Sequence, residues 1–147
     1  MTWCTRSIAG AWLCAALLAA MLVAMTACDE APTSPTGGDL TGRWQLVSLQ
    51  PMSGGTITPR PGTTVGVEFI GADRIAVQSD CNSCAGGYTL SGSSFRLLPL
   101  ACTLRACVSE SIERPYLELL ATASSATILR DGGLRLEGPN GVMTFTR

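Results

Sequence analysis

Four cysteines fall in two short runs, Cys81-Asn82-Ser83-Cys84 and Cys102-Thr103-Leu104-Arg105-Ala106-Cys107, with an apolar alternation between them. The C-x2-C and C-x4-C pairs stand either side of a predicted hairpin. Closing them would tie two loops of a small sheet together. Four cysteines allow three connectivities, and spacing does not choose among them. Whether they form a staple or a metal site depends on the compartment, which the N-terminal segment addresses.

From Ile8 to Met25 the chain is apolar and carries no charge, and Arg6 is the one charge before it. Thr26-Ala27 then puts small residues directly before Cys28. This reads as a lipoprotein signal peptide over residues 1–27, with lipid attached at Cys28. The run is long enough for a transmembrane anchor. Against that reading, no basic cluster follows it, and a Pro-rich stretch follows at once. Residues 28–39 are expected to be the lipidated cysteine and a flexible tether, ahead of a single domain over residues 40–147.

Of the seven cysteines, Cys4 and Cys14 leave with the signal peptide and Cys28 carries lipid. Cys81, Cys84, Cys102 and Cys107 remain. In an exported protein they read as a disulfide framework, since disulfides persist outside the cytoplasm. The rival reading, a four-cysteine zinc ribbon, suits a reducing compartment. A redox role for Cys81-x-x-Cys84 would call for a helix N-terminus, and the pair lies between strands.

The chain beyond the signal peptide holds nine arginines against eleven acidic residues, a net charge of −2. That gives no footprint for nucleic acid. There is no histidine and no lysine. Ser-His, Cys-His and Ser-Lys catalysis are therefore excluded. The carboxylates Glu110, Glu113 and Glu118 read as solvated helix charges around Arg114, not as a catalytic pair.

From Leu40 onward, short apolar alternations are separated by Gly, Pro, Asn and Asp, as in a chain of half-buried strands. Trp44 and Leu46 share one parity and Val47 and Leu49 take the other, which predicts a bulge there. Val65, Val67 and Phe69 lead through Gly71-Ala72-Asp73 into Ile75 and Val77. Tyr88 and Leu90 lead through Ser91-Gly92-Ser93 into Phe95 and Leu97, where Pro99 is expected to end the pairing. Residues 109–123 form the helix candidate, N-capped by Ser109 or Ser111, with Pro115 forcing a late start or a break. Three further strands close the chain. The expectation is a mostly β protein: a small antiparallel β-barrel-like domain of about eight strands with one α-helix.

Gly42-Arg43-Trp44, then Cys81-Asn82 with Gly87-Tyr88, then Thr103-Leu104-Arg105-Ala106-Cys107, then Glu113 and Leu120, then Leu134-Arg135-Leu136 and Met143-Thr144-Phe145 follow in order. In this order they resemble the META domain, the family of bacterial HslJ-type envelope proteins. The resemblance spans about Leu40 to Arg147, and Arg105 stands where the family usually carries Met. It implies a compact β-barrel-like fold with one helix, no enzymatic activity, and an association with heat shock and antibiotic stress. It also implies a bridge between Cys81 and Cys107, which leaves Cys84 and Cys102 nested inside.

The expected function is that of a non-enzymatic, lipid-anchored envelope protein, a stress-related binding or stabilising module needing no cofactor or metal. It would face the periplasm from the inner or outer membrane, as a monomer, and bind an unknown envelope protein. The alternative is a carrier holding a small apolar ligand or lipid in the barrel, lined by Trp44, Phe69, Tyr88, Phe95 and Phe145. Asn82 reads as a residue bonding the backbone of its own turn.

Overall fold

The computed structural model describes residues 40–147; the expected signal peptide, Cys28 and tether lie on residues 1–39, outside the described part. Alternation of apolar and polar residues sets the strands: β1 (Gly42–Pro51), β2 (Gly66–Ile70), β3 (Arg74–Gln78), β4 (Ser83–Ser91) and β5 (Ser94–Cys102). The helix α1 (Glu113–Thr122) follows, then β6 (Ser125–Ile128), β7 (Leu134–Gly138) and β8 (Gly141–Thr146). Each strand pairs antiparallel with the next, and β8 returns to β1, so the sheet closes into an eight-stranded barrel. The seam between β5 and β6 is a single register pair, Ser94 with Ser125, so most of β5 has no strand partner on that side.

Period-two burial supplies the core. Trp44 and Leu46 from β1, Val67 and Phe69 from β2, Ile75 and Val77 from β3, and Leu134, Leu136, Met143 and Phe145 from β7 and β8 all point inward. The predicted bulge in β1 is present: the register with β8 shifts between Leu46 and Ser48, so Leu49 is buried and Val47 is exposed. The extra residue keeps the apolar set facing the core when the sequence parity changes.

Pro99 does not end the pairing. β5 continues to Cys102, and the register shifts where Tyr88 pairs with Leu97 and Gly86 with Leu100. Pro99 falls inside that irregularity, where a missing N–H costs the ladder nothing.

The antiparallel order puts the β2–β3, β4–β5 and β6–β7 turns, the start of β1 and the end of β8 at one end of the barrel, the entry end. The β3–β4 turn, the β7–β8 turn and the long connection after β5 lie at the other. α1 crosses this second end. Tyr116 donates from its hydroxyl to the carbonyl of Gly66 at 2.8 Å, and Ser124 N–H reaches Glu137 O at 2.8 Å. Tyr116, Leu119 and Leu120 are its buried face.

The helix starts at Glu113, four residues later than Ser109, so Pro115 sits in the first turn, where its missing N–H is harmless. Ser109 is not the cap. The N-cap is Ile112, whose own side chain makes no capping bond. Ser111 Oγ accepts from Glu113 N–H at 3.2 Å, and the rest of the capping comes from another part of the chain.

Candidate functional site

The β3–β4 turn, residues 79–82, is folded tightly by its own backbone: Ser79 N–H donates to Asn82 O at 2.9 Å. Ser79 Oγ accepts from the N–H of Asn82 at 2.7 Å and of Cys81 at 3.1 Å. From this turn Asp80 reaches the helix start, where its carboxylate accepts from Ile112 N–H at 3.0 Å and from Ser111 Oγ at 2.8 Å. A negative group on the first free N–H of a helix is favoured by both hydrogen bonding and the helix dipole. The helix answers in kind. Glu113 turns back onto the turn, hydrogen-bonding the Ser79 hydroxyl and accepting from Asn82 N–H at 2.9 Å.

Asn82 is the hub of this latch. Its Nδ2 donates to Glu113 Oε1 at 2.9 Å and to Arg105 O at 3.3 Å. Its Oδ1 accepts from Thr103 Oγ1 and from Arg105 N–H, both at 2.8 Å. All four hydrogen-bonding positions of the amide are filled, and this assigns its orientation. Asn82 is only 4% exposed, so satisfaction here is a requirement of burial. It joins segments more than twenty residues apart instead of bonding the backbone of its own turn.

The cysteines reinforce the same place. Cys81 is bonded to Cys107, with Cα atoms 5.6 Å apart, and Cys84 to Cys102 at 4.0 Å. Cys84 and Cys102 are directly opposed in the β4–β5 ladder, so the second bridge crosses a strand pair. The Cys81 and Cys107 sulfurs and the Glu113 carboxylate lie within 4.8 Å of one another, a cluster with metal-ligand chemistry. Bonded to each other, the two sulfurs are not thiolates, and a thiolate is what a metal takes.

Thr103 to Glu110 are exposed throughout. Thr103 N–H still bonds Ser83 O at 3.0 Å, and Cys107 is held by its bridge, so this arm is fixed at both ends. Between the fixed points Leu104 is 97% exposed, and Val108 just beyond is 60% exposed. A groove of about 680 Å³ runs beside it, lined by Val108, Ser111, Pro115 and Leu117 among others.

The five aromatic residues proposed as ligand-lining are buried in the barrel core. Phe69, Tyr88 and Phe95 form a cluster with ring centroids 4.9 to 6.2 Å apart. Tyr88 hydroxyl donates to Gly71 O at 2.8 Å, and Trp44 Nε1 to Leu40 O at 2.7 Å. Phe145 is equally buried. Burial raises the Tyr116 phenol far above its ordinary range; Tyr88 is raised by burial and then by the Asp73 carboxylate. A second cleft, of about 490 Å³, opens beside β1 to β4, lined by Gly66, Ala76 and Gln78 among others, with Arg147 stacked 4.6 Å over the Trp44 ring.

The META domain profile matches residues 38–147, which takes in the whole barrel and its latch. The chain belongs to the META domain family. A solved solution structure of a protein from Burkholderia xenovorans has the same fold, with a TM-score of 0.63 at 20% identity. The alignment covers 82% of this chain and 95% of that one. No curated protein matches the sequence significantly. Of the residues that carried the META resemblance, Cys81, Asn82, Thr103, Cys107 and Glu113 meet in the latch. Arg105 contributes its main-chain N–H and C=O, so a different side chain at that position of the META motif leaves the contact intact. Ser79 and Asp80 were not singled out in the sequence; the helix residues they meet, Glu113 for Ser79 and Ser111 and Ile112 for Asp80, lie more than thirty residues away.

Proposed function

We propose that this META domain is a non-enzymatic binding module of the bacterial envelope, held at the membrane through lipid on Cys28, with the latched arm as its contact surface for a protein partner. The observation that carries this reading is the exposure of Leu104 and Val108 on an arm pinned by a disulfide and by Asn82. Apolar side chains on a pre-ordered loop can bind without a large ordering cost. The motif residues are committed to holding that arm, which suits a scaffold for binding better than a site for chemistry.

The interior volume that an apolar ligand would need is occupied by the aromatic cluster and its neighbours, so the carrier alternative is the weaker one. A role in envelope stress is the expectation that the META resemblance supports.

The test is the double variant Leu104→Ser/Val108→Ser in the native host under heat and antibiotic challenge. The expected result is survival like that of a strain lacking the gene, with the purified variant as stable as wild type. Wild-type survival from the variant, when the deletion strain is sensitive, would sink the reading.

A further inference from the structure

The charges of the barrel are sorted by end. At the entry end stand Arg43, Arg74, Arg96, Arg130, Arg135 and Arg147, against Glu68, Asp73, Asp131 and Glu137, the partner of Arg135. At the helix end three arginines face four acidic residues: Arg60, Arg105 and Arg114 against Asp80, Glu110, Glu113 and Glu118. Within residues 40–147 the entry end thus carries more positive charge and the helix end more negative, while Asp29, Glu30 and Asp39 lie on the connection before Leu40.

Not every entry-end arginine is available. Arg43 is paired with Glu68 at 3.0 Å and Arg135 with Glu137 at 3.1 Å, while Arg147 stacks on Trp44. Arg74, Arg96 and Arg130 are the exposed remainder, and each stands in or just after one of the three turns of that end. Ile70, 38% exposed, is in register with Arg74 at the β2–β3 turn and adds an apolar contact on the same rim.

The polypeptide enters the domain at this same end. Leu40 and Gly42 lead into β1 there, and residues 29–39 separate them from Cys28. Eleven residues span at most about 40 Å even when fully extended. A domain held on so short a connection meets its membrane repeatedly, and the pole that it can lay flat on the surface with least reach is the one where the chain enters.

We infer that the entry end is a membrane-docking face for anionic phospholipid, with Arg74, Arg96 and Arg130 as its electrostatic contacts. The inference rests on attachment through Cys28. Basic residues close to an anionic bilayer each add attraction that fades within a Debye length. Docking this pole turns the acidic helix end and the Leu104–Val108 arm away from the bilayer, toward the partner. Lipid anchoring alone would leave the barrel free to tumble; the rim gives it a fixed orientation.

The test is co-sedimentation of residues 29–147, which hold the whole barrel and carry neither the acyl chain nor the apolar run Ile8–Met25. The vesicles are equal parts phosphatidylglycerol and phosphatidylcholine, or phosphatidylcholine alone. Binding is expected on the anionic vesicles at about 0.1 M salt, where the Debye length is about 10 Å, with little on the neutral ones, and it should fall steeply as salt is raised further. Arg74→Gln/Arg96→Gln/Arg130→Gln should lower the partition by on the order of tenfold or more. Arg60→Gln/Arg105→Gln/Arg114→Gln, the same charge change at the helix end, should leave it within about twofold, since charges beyond a Debye length are screened. All six positions are exposed, and circular dichroism checks that both variants fold.

Equal binding to neutral and anionic vesicles, or equal loss from the two triple variants, would overturn the proposal. The mass of Cys28-containing peptide from membranes of the native host reads the anchor separately. An unmodified Cys28 would refute the anchor without touching the vesicle result.

Discussion

Glu113 and Asn82, thirty-one residues apart, are joined twice: the carboxylate accepts from the main-chain N–H of Asn82 and from its side-chain amide, both at 2.9 Å. This pair of hydrogen bonds fixes the start of α1 to the β3–β4 turn, and through Asn82 it fixes the arm that follows β5. The helix closing the barrel and the exposed loop beside it therefore form one unit. That coupling makes the latch testable residue by residue.

Asn82→Ala removes four hydrogen bonds at a buried position and leaves the Arg105 amide and the Glu113 carboxylate short of partners. The expected loss is about 2 to 4 kcal/mol of unfolding free energy. Asn82→Asp should be no milder, because it places a second carboxylate against Glu113. Urea denaturation with both disulfides intact measures both. A loss under about 0.5 kcal/mol, the range of an ordinary surface substitution, would show that the hub is dispensable.

Asp80 caps the helix from outside it, so Asp80→Ala should cost about 1 kcal/mol, as for an ordinary N-cap, and Asp80→Asn less. Hydrogen exchange at Ile112 should quicken in the alanine variant before exchange in the strands does. Unchanged exchange at Ile112 would mean that the cap carries no stability.

The two disulfides should differ in what they protect more than in how much. Their sequence separations are 26 and 18, which the chain-entropy model converts to nearly equal stabilisation, about 3 kcal/mol each. Cys81→Ser/Cys107→Ser frees the exposed arm, and trypsin should then cut after Arg105 in the native protein. Cys84→Ser/Cys102→Ser should lower global stability without opening that site. Identical digestion patterns would remove the distinction.

At high pH the tyrosines set the limit. Both phenols are raised by burial, so the fold holds their protons more tightly than the unfolded chain does. Stability is therefore complete below the ordinary phenol value of about 10 and falls as the pH rises above it. Tyr88 and Tyr116 are the only two tyrosines in the chain, so the phenolate absorbance reports on them alone. It should develop together with the loss of near-ultraviolet circular dichroism. Tyr116→Phe should lose about 1 kcal/mol at neutral pH, through the bond to Gly66 O, and unfold at a higher pH than wild type relative to that baseline. Phenolate formation ahead of unfolding would contradict the burial argument.

Much of the fold was legible because strand burial is local information. Trp44, Val67, Phe69, Ile75 and Val77 announce their faces by period two, and the change of parity after Leu46 announces the bulge. Pro99 misled because its effect depends on what lies opposite, and only pairing reveals that β4 and β5 shift register there. The helix start misled for a similar reason: Ser109 and Ser111 have the right chemistry for a cap, but the main-chain N–H of Ile112 is taken by Asp80 from the β3–β4 turn. Glu113, read as a solvated helix charge, is drawn inward because Asn82 and Ser79 offer it donors.

By itself, the sequence determined the class of protein: eight short alternations with turn residues between them, one helix, and four cysteines in two close pairs around a hairpin. Those features follow from the side-chain periodicity and turn chemistry of neighbouring residues, and they brought the META domain into view. Only the tertiary structure decided that Cys81, Asn82, Thr103, Arg105, Cys107 and Glu113 build one latch, and that the arginines gather at the end where the chain enters. Hydrogen bonds between residues twenty to thirty positions apart, and the placing of charge at one pole of a barrel, depend on register and closure. Neither has a local signature in the chain.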